Sequence, residues 1–110
     1  MLSGNGYLLR IFIGEGKKHQ GLPLYEWIVR KAKEQGLAGA TVLRATEGFG
    51  AHSVIHTTKL LDLSTNLPII IEIVDEPEKI EEFLTLIDAD IEEGLATVER
   101  VHIRFYRSKK

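Results

Sequence analysis

Hydrophobic and polar positions alternate from the start of the chain. In YLLRIFIG (7–14), Leu9, Ile11 and Ile13 share one face and Arg10 and Phe12 the other, the period of a half-buried strand. After the loop EGKKHQGLP the period lengthens. Pro23 can open a helix, Leu24, Trp27, Ile28 and Ala32 form one helical stripe, and Gly36 is a helix stop. LAGATVLRATEGFG reads as a second strand, long and interrupted by glycine. Residues 51–67, AHSVIHTTKLLDLSTNL, form a long connection of the kind that is usually functional or disordered. PIIIEIV (68–74) is the clearest strand, with Pro68 at its start, where a missing donor is tolerated. DEPEKIEEFLTLIDADIEEG is the clearest helix. Ile80, Phe83, Leu84, Ile87 and Ile91 keep the helical period, Asp75 can cap it with Glu78 three residues later, Pro77 fits the first turn, and Gly94 is a stop. ATVERVHIRFYR closes the chain as a strand, with Val101, Ile103 and Phe105 against Arg100, His102, Arg104 and Tyr106.

The order β-α-β-β-α-β predicts an α+β fold, a ferredoxin-like βαββαβ sandwich with a four-stranded antiparallel sheet and two helices on one face. The 110 residues make a single domain, 1–110, with residues 1–6 and 107–110 as loose ends. The sheet face away from the helices is expected to gather Phe12, Ile70, Val74 and Tyr106, mixed with Arg10, Glu72 and Arg104. A second face so rich in large apolar groups is more often covered than wet, and no predicted element remains to cover it. Self-association is therefore expected; the alternative is a monomer with a partly apolar outer face.

Composition narrows the classes. A hydrophobic fraction of 44% and a charged fraction of 27% are ordinary for a soluble globular protein. With no cysteine there are no disulfides or thiolate metal sites. A formal net charge of -2 argues against nucleic-acid binding by charge. No apolar run is long enough to insert in a membrane and the start lacks signal-peptide features, so a cytoplasmic location is the default.

Three groups of residues are candidates for chemistry. GEGKKHQG (14–21) is glycine-rich and basic between a strand and a helix, a place where backbone N–H groups can bind anions, although no Gly-Lys-Ser/Thr follows as a Walker A loop requires. HQGL (19–22) faintly resembles the phosphate loop of acylphosphatases, without that family's loop arginine or its second-strand asparagine. A small phosphate or acyl-phosphate hydrolase is thus one reading; a mobile solvated loop is the plainer one. His52 and His56 stand four apart, as two metal ligands on a helix would, with Asp62 the nearest third candidate; surface histidines are the plainer reading. Arg100, His102 and Arg104 point to one side of the last strand and, with Arg44, could hold phosphate groups; salt bridges to the many glutamates are the alternative.

One stretch carries a resemblance. GLAGATVLRATEGFG resembles the second strand and loop entry of the PII signalling proteins: Gly39-Ala40-Thr41-Val42 matches their Gly-hydrophobic-Thr-Val segment, and Gly48-Phe49-Gly50 their Gly-aromatic-Gly. Residues 51–67 then fall at the position of the long T-loop. GFGAH and PIIIEIVDEPEKI make the chain similar, more closely still, to a PII-like (GlnB-like) prokaryotic family without a settled function. The resemblance implies a homotrimer with adenine-nucleotide sites in the clefts between subunits, a regulatory rather than enzymatic role, and a regulated transporter or enzyme as partner. It places Gly39, Thr41 and Val42 near the nucleotide, and Gly48 and Gly50 at the turn into the T-loop. Arg100 falls where PII proteins carry a phosphate-binding lysine, and Arg44 and Arg104 are further candidate ligands. EEGLATVERV keeps Gly94 but lacks the other glycines that wrap the phosphates in that family, and no tyrosine lies in the T-loop segment. No cofactor is certain; an adenine nucleotide is the expected effector. CutA-type copper-tolerance proteins share the fold, which keeps a trimeric metal-binding reading of His52 and His56 open.

Overall fold

The computed structural model describes residues 2–48, 56–57 and 67–109. Its elements in chain order are β1 (Gly4–Gly14), β2 (Lys18–His19), β3 (Leu22–Pro23), α1 (Leu24–Glu34), β4 (Thr41–Arg44), β5 (Glu47–Gly48), β6 (His56–Thr57), β7 (Pro68–Asp75), α2 (Pro77–Ile87), a 3₁₀ turn (Asp88–Asp90) and β8 (Leu95–Ile103). Four strands form one antiparallel sheet in the order β4-β7-β1-β8. The expected ferredoxin-like α+β plan is the observed one.

The alternation of β1 and β7 builds the core. Leu9 pairs with Ile73, Ile11 with Ile71 and Ile13 with Ile69, and all six are buried on the helix side of the sheet. Leu24, Ile28 and Ala32 of α1 and Ile80, Phe83 and Ile87 of α2 close over them. Each large aliphatic side chain so buried contributes about 1.5–3 kcal/mol relative to leaving it wet.

The edges differ from the centre. Every residue of β4 is exposed, and β8 is exposed along most of its length. Val42, Leu43, Leu95 and Val98 are left in contact with water, and two sheet edges are unpaired among the described residues.

The strand register corrects the expected faces of β8. Gly6 pairs with Val101 and Gly4 with Ile103, so Val101 and Ile103 lie on the outer face with Leu8 and Arg10, and Arg100 and His102 lie on the helix side. The glycines of β1 decide this. A Cβ on Gly6 would stand 2.5 Å from Ile103 Cδ1, so the bare backbone makes room for the branched side chain. Residues 4–6, expected as a loose end, are therefore strand, and β8 stops at Ile103 rather than running through Tyr106.

The helix ends also depart in detail. α1 closes with a Schellman arrangement at Gly36 (φ +75°), where Leu37 N–H donates to Ala32 O and Gly36 N–H to Lys33 O, as the glycine stop predicts. α2 starts one residue later than expected, with Glu76 rather than Asp75 at the cap position and Pro77 in the first turn. Asp75 is drawn into a tertiary contact instead. The helix ends at Ile87 and continues only as the 3₁₀ turn. The loop between β1 and α1 holds a small hairpin, β2 with β3, turning through Gln20 and Gly21 at positive φ.

Candidate functional site

A groove of about 460 Å³ opens at one end of the outer face. That volume lies in the range of small-molecule sites, about 300–1,000 Å³. One wall is the entry to β4: Gly39, Ala40 and Thr41. The floor is Leu8, Glu72 and Val74, and the far wall is Ile103, Phe105 and Tyr106, with Leu2 beside them.

The wall is placed by the chemistry of its neighbours. After the Gly36 turn, Ala38 N–H donates to the Asp75 carboxylate at 2.8 Å. Asp75 is 3% exposed, and its other oxygen accepts Glu76 N–H at 2.7 Å. A buried carboxylate needs such donors, and here it fixes the peptide that leads into β4. On the other side of that peptide, Tyr106 Oη donates to Ala38 O at 2.6 Å. The segment after β8 therefore turns back across the outer face, and this face is not left wholly to another molecule as the sequence pattern implied.

Charge enters at the floor. Arg10 Nε donates to Glu72 at 2.9 Å and Arg10 Nη1 to Glu99 at 2.6 Å. Hydrogen bonds to Glu72 and then Glu99 raise the Arg10 pKa above its ordinary value, so the guanidinium stays charged. One cation faces two carboxylates, and the cluster carries net negative charge.

Of the residues expected at a ligand site, Gly39 and Thr41 line the groove together. Val42 pairs with Ile71 and so faces the opposite side of the sheet. Arg44 holds both oxygens of Glu15, at 3.0 and 3.1 Å, so the salt-bridge alternative describes it. Gly48 lies in β5, where a Cβ would stand 2.9 Å from Pro68 Cγ; its glycine permits that close approach. Arg100 lies on the helix side of β8, cross-strand from Tyr7, and Arg104 is exposed beyond the strand. Gly50, His52 and most of residues 51–67 lie outside the described residues, as does the side chain of His56. β4 and β8 are opposite edges of the sheet, three inter-strand spacings or about 14 Å apart. Thr41 also lies on the outer face with Glu72 and Arg100 on the helix side with Tyr7, so one chain does not turn both toward one groove.

The basic loop is occupied by its own carboxylates. Lys17 pairs with Glu93, and His19 lies edge-on to Trp27 at 4.4 Å with Nε2 3.2 Å from Asp90 Oδ1. The His19 contact is close but out of line, which leaves Nε2 without a hydrogen bond. This hairpin packs on the acidic stretch that follows α2, at Asp90 and Glu93, instead of presenting an open cationic cradle. Among the described residues no group of three His, Cys, Asp or Glu side chains could hold a metal. No helix among them is long and apolar enough to cross a membrane.

Sequence patterning missed Asp75 as the anchor of the groove and Tyr106 as its far wall. A carboxylate at the end of an otherwise apolar strand was the one available signal for the first. Alternation did assign Tyr106 to the outer face, but nothing in it marks the bond to Ala38 O that makes it a wall.

A four-stranded β4-β7-β1-β8 sheet with two helices on one face is the fold seen in PII-like proteins, and here it carries a groove beside the Gly39–Thr41 segment. Residues 6–103 match the family described as DUF190, Uncharacterized ACR, COG1993, and the chain belongs to it. A UPF0166 protein of Aquifex aeolicus strain VF5 is 45% identical over 96 residues, covering 87% of this chain and 90% of that one. CPII, a nitrogen regulatory PII-like protein from Thiomonas intermedia K12 solved with ADP, AMP and bicarbonate, superposes with a TM-score of 0.68 at 18% identity, over 90% of this chain and 88% of CPII. A PII-like signalling protein from Thermus thermophilus gives a TM-score of 0.68 at 20% identity, over 94% of each chain. At these identities the structural likeness establishes the fold.

Proposed function

We propose that this protein is a PII-like regulator that binds an adenine nucleotide or a similar anionic effector at clefts between the subunits of a homotrimer. The observation that carries the proposal is the groove walled by Gly39 and Thr41 in a fold that CPII uses with ADP and AMP. The negative Arg10–Glu72–Glu99 cluster disfavours phosphate at the groove floor, so the neutral part of a ligand belongs there and its anionic part points outward. Arg100, on the far edge of the sheet, serves that anionic part in a neighbouring copy. The two edges left unpaired among the described residues, with Leu43 and Leu95 exposed on them, favour self-association, because such edges are normally paired or covered. The effector's presence is then read by a partner, a transporter or an enzyme, through a change in loop order. Calorimetry with AMP, ADP, ATP and cyclic nucleotides tests the ligand, and light scattering tests the assembly. No binding at millimolar concentration, or a mass near 12.4 kDa, removes the corresponding half of the proposal.

A further inference from the structure

We propose that Tyr106 is an internal latch on this groove: its phenol ties the segment after β8 across the groove mouth, and an effector binds by displacing it. The proposal rests on reading the groove as the effector site.

The latch is built on one peptide. Ala38 N–H is committed to the buried carboxylate of Asp75, which holds the peptide in place. Ala38 O, on the other side, accepts the Tyr106 phenol at 2.6 Å. The next residue, Gly39, has no side chain, and nothing lies within 4 Å of where a Cβ would be. The space beside Gly39 is thus open, while the Ala38 carbonyl itself is capped by the Tyr106 phenol. A carbonyl acceptor flanked by apolar walls from Leu8, Val74 and Ile103 suits a flat, mostly apolar ring with an N–H donor at its edge. That is the chemistry Tyr106 itself presents: an aromatic ring with one O–H. Tyr106 lines the groove as it caps this carbonyl, so tyrosine and ligand ring compete for the same space beside it.

The hold is weak enough to reverse. Phe105 is 66% and Tyr106 53% exposed, and the phenol hydrogen bond is what ties this aromatic pair back to the sheet. Arg107 stacks on Phe105 at 4.1 Å, a contact within the segment that does not tie it to the sheet. Segments with few buried contacts open far more readily than the core. A protein whose binding-competent form is only fractionally populated shows an affinity reduced by that fraction.

The experiment compares the intact protein with Tyr106→Phe, which keeps the ring and removes the donor. Without ligand, amide hydrogen exchange is followed at residues 104–107. With ligand, AMP and ADP are titrated by calorimetry. The expected result is faster exchange in this segment and about two- to tenfold tighter nucleotide binding, the span of one neutral hydrogen bond. Unchanged exchange overturns the latch whether or not nucleotides bind. Faster exchange with unchanged or weaker binding overturns it too, because Tyr106 would then not compete with the ligand. Faster exchange with no binding of AMP or ADP to either protein removes these two as effectors and overturns displacement by them, while the tether itself is supported.

Discussion

The carboxylate of Asp75 accepts the backbone N–H of Ala38 at 2.8 Å, across 37 positions of sequence. This bond joins the end of β7 to the approach of β4, and so sets where Gly39 and Thr41 stand relative to Glu72 and Val74. The groove has its shape because a buried acid needed two donors and found them in the Ala38 and Glu76 peptides.

Removing that acid should be costly. Asp75→Ala leaves two peptide N–H groups without their charged acceptor, one of them in the wall of the groove. The expected loss is about 2–4 kcal/mol of stability, from hydrogen bonds to a charged group worth about 1.5–3 kcal/mol each and not fully additive. Urea unfolding measures it; a loss below about 1 kcal/mol would show that water or another donor arrangement replaces the anchor at little cost.

The register of β8 makes a second prediction. Gly6→Ala puts a methyl group 2.5 Å from Ile103 Cδ1 and 3.2 Å from the Asp75 carbonyl. Overpacking of this kind costs about 1–3 kcal/mol. Shortening the opposing side chain with Ile103→Val should recover part of the loss, and a double-mutant cycle in thermal unfolding reads the coupling. Strictly additive effects would mean that the two residues do not determine each other.

Arg10 separates folding from assembly. Its raised pKa means that its charged form is favoured by the fold, a contribution fully present below the ordinary arginine value and lost only as pH rises through the still higher folded value. Arg10 therefore adds no pH dependence in the neutral range. Arg10→Gln leaves Glu72 and Glu99 unbalanced on the outer face. The thermal melt of the monomer should barely change, because the group is over a third exposed and solvent screens its ion pairs. Self-association through that face should weaken strongly, since burying unpaired carboxylates is expensive. Sedimentation velocity beside a thermal melt distinguishes the two; an unchanged sedimentation coefficient in the face of the substitution places the interface elsewhere.

The intersubunit site can be tested by complementation. Thr41→Val and Arg100→Ala should each weaken nucleotide binding about tenfold, the loss of one good hydrogen bond or charge-assisted contact. Arg44→Ala should change it less than about twofold, as an exposed pair with Glu15 contributes little elsewhere. If Thr41 and Arg100 meet only between copies, reassembling a mixture of the Thr41 and Arg100 variants restores some intact clefts, and high-affinity binding reappears in titration. No recovery on mixing places both residues in the same subunit's site or in none.

The sequence alone determined the element order, and with it the fold. Alternation in residues 9–13 and 69–73 marks strands buried on one side, and the helical spacing of Ile80, Phe83 and Ile87 marks the face that covers them, because the two periods of burial differ. The resemblance of residues 39–50 to PII proteins also pointed to Gly39 and Thr41, and both line the groove. The tertiary structure alone decided the rest. Which face of β8 looks outward depends on Gly4 and Gly6, roughly a hundred positions away, and alternation within β8 is compatible with either face. Asp75 reads as a helix cap from its neighbours in sequence, yet burial beside Ala38 gives its carboxylate another donor. Arg44 and Arg100 look alike as strand arginines, and only the sheet order puts them on opposite edges, one satisfied by Glu15 and the other out of reach of the groove in its own chain. Periodicity reports what each residue's own strand or helix buries; partners across the sheet are set by register and topology, which no local pattern encodes.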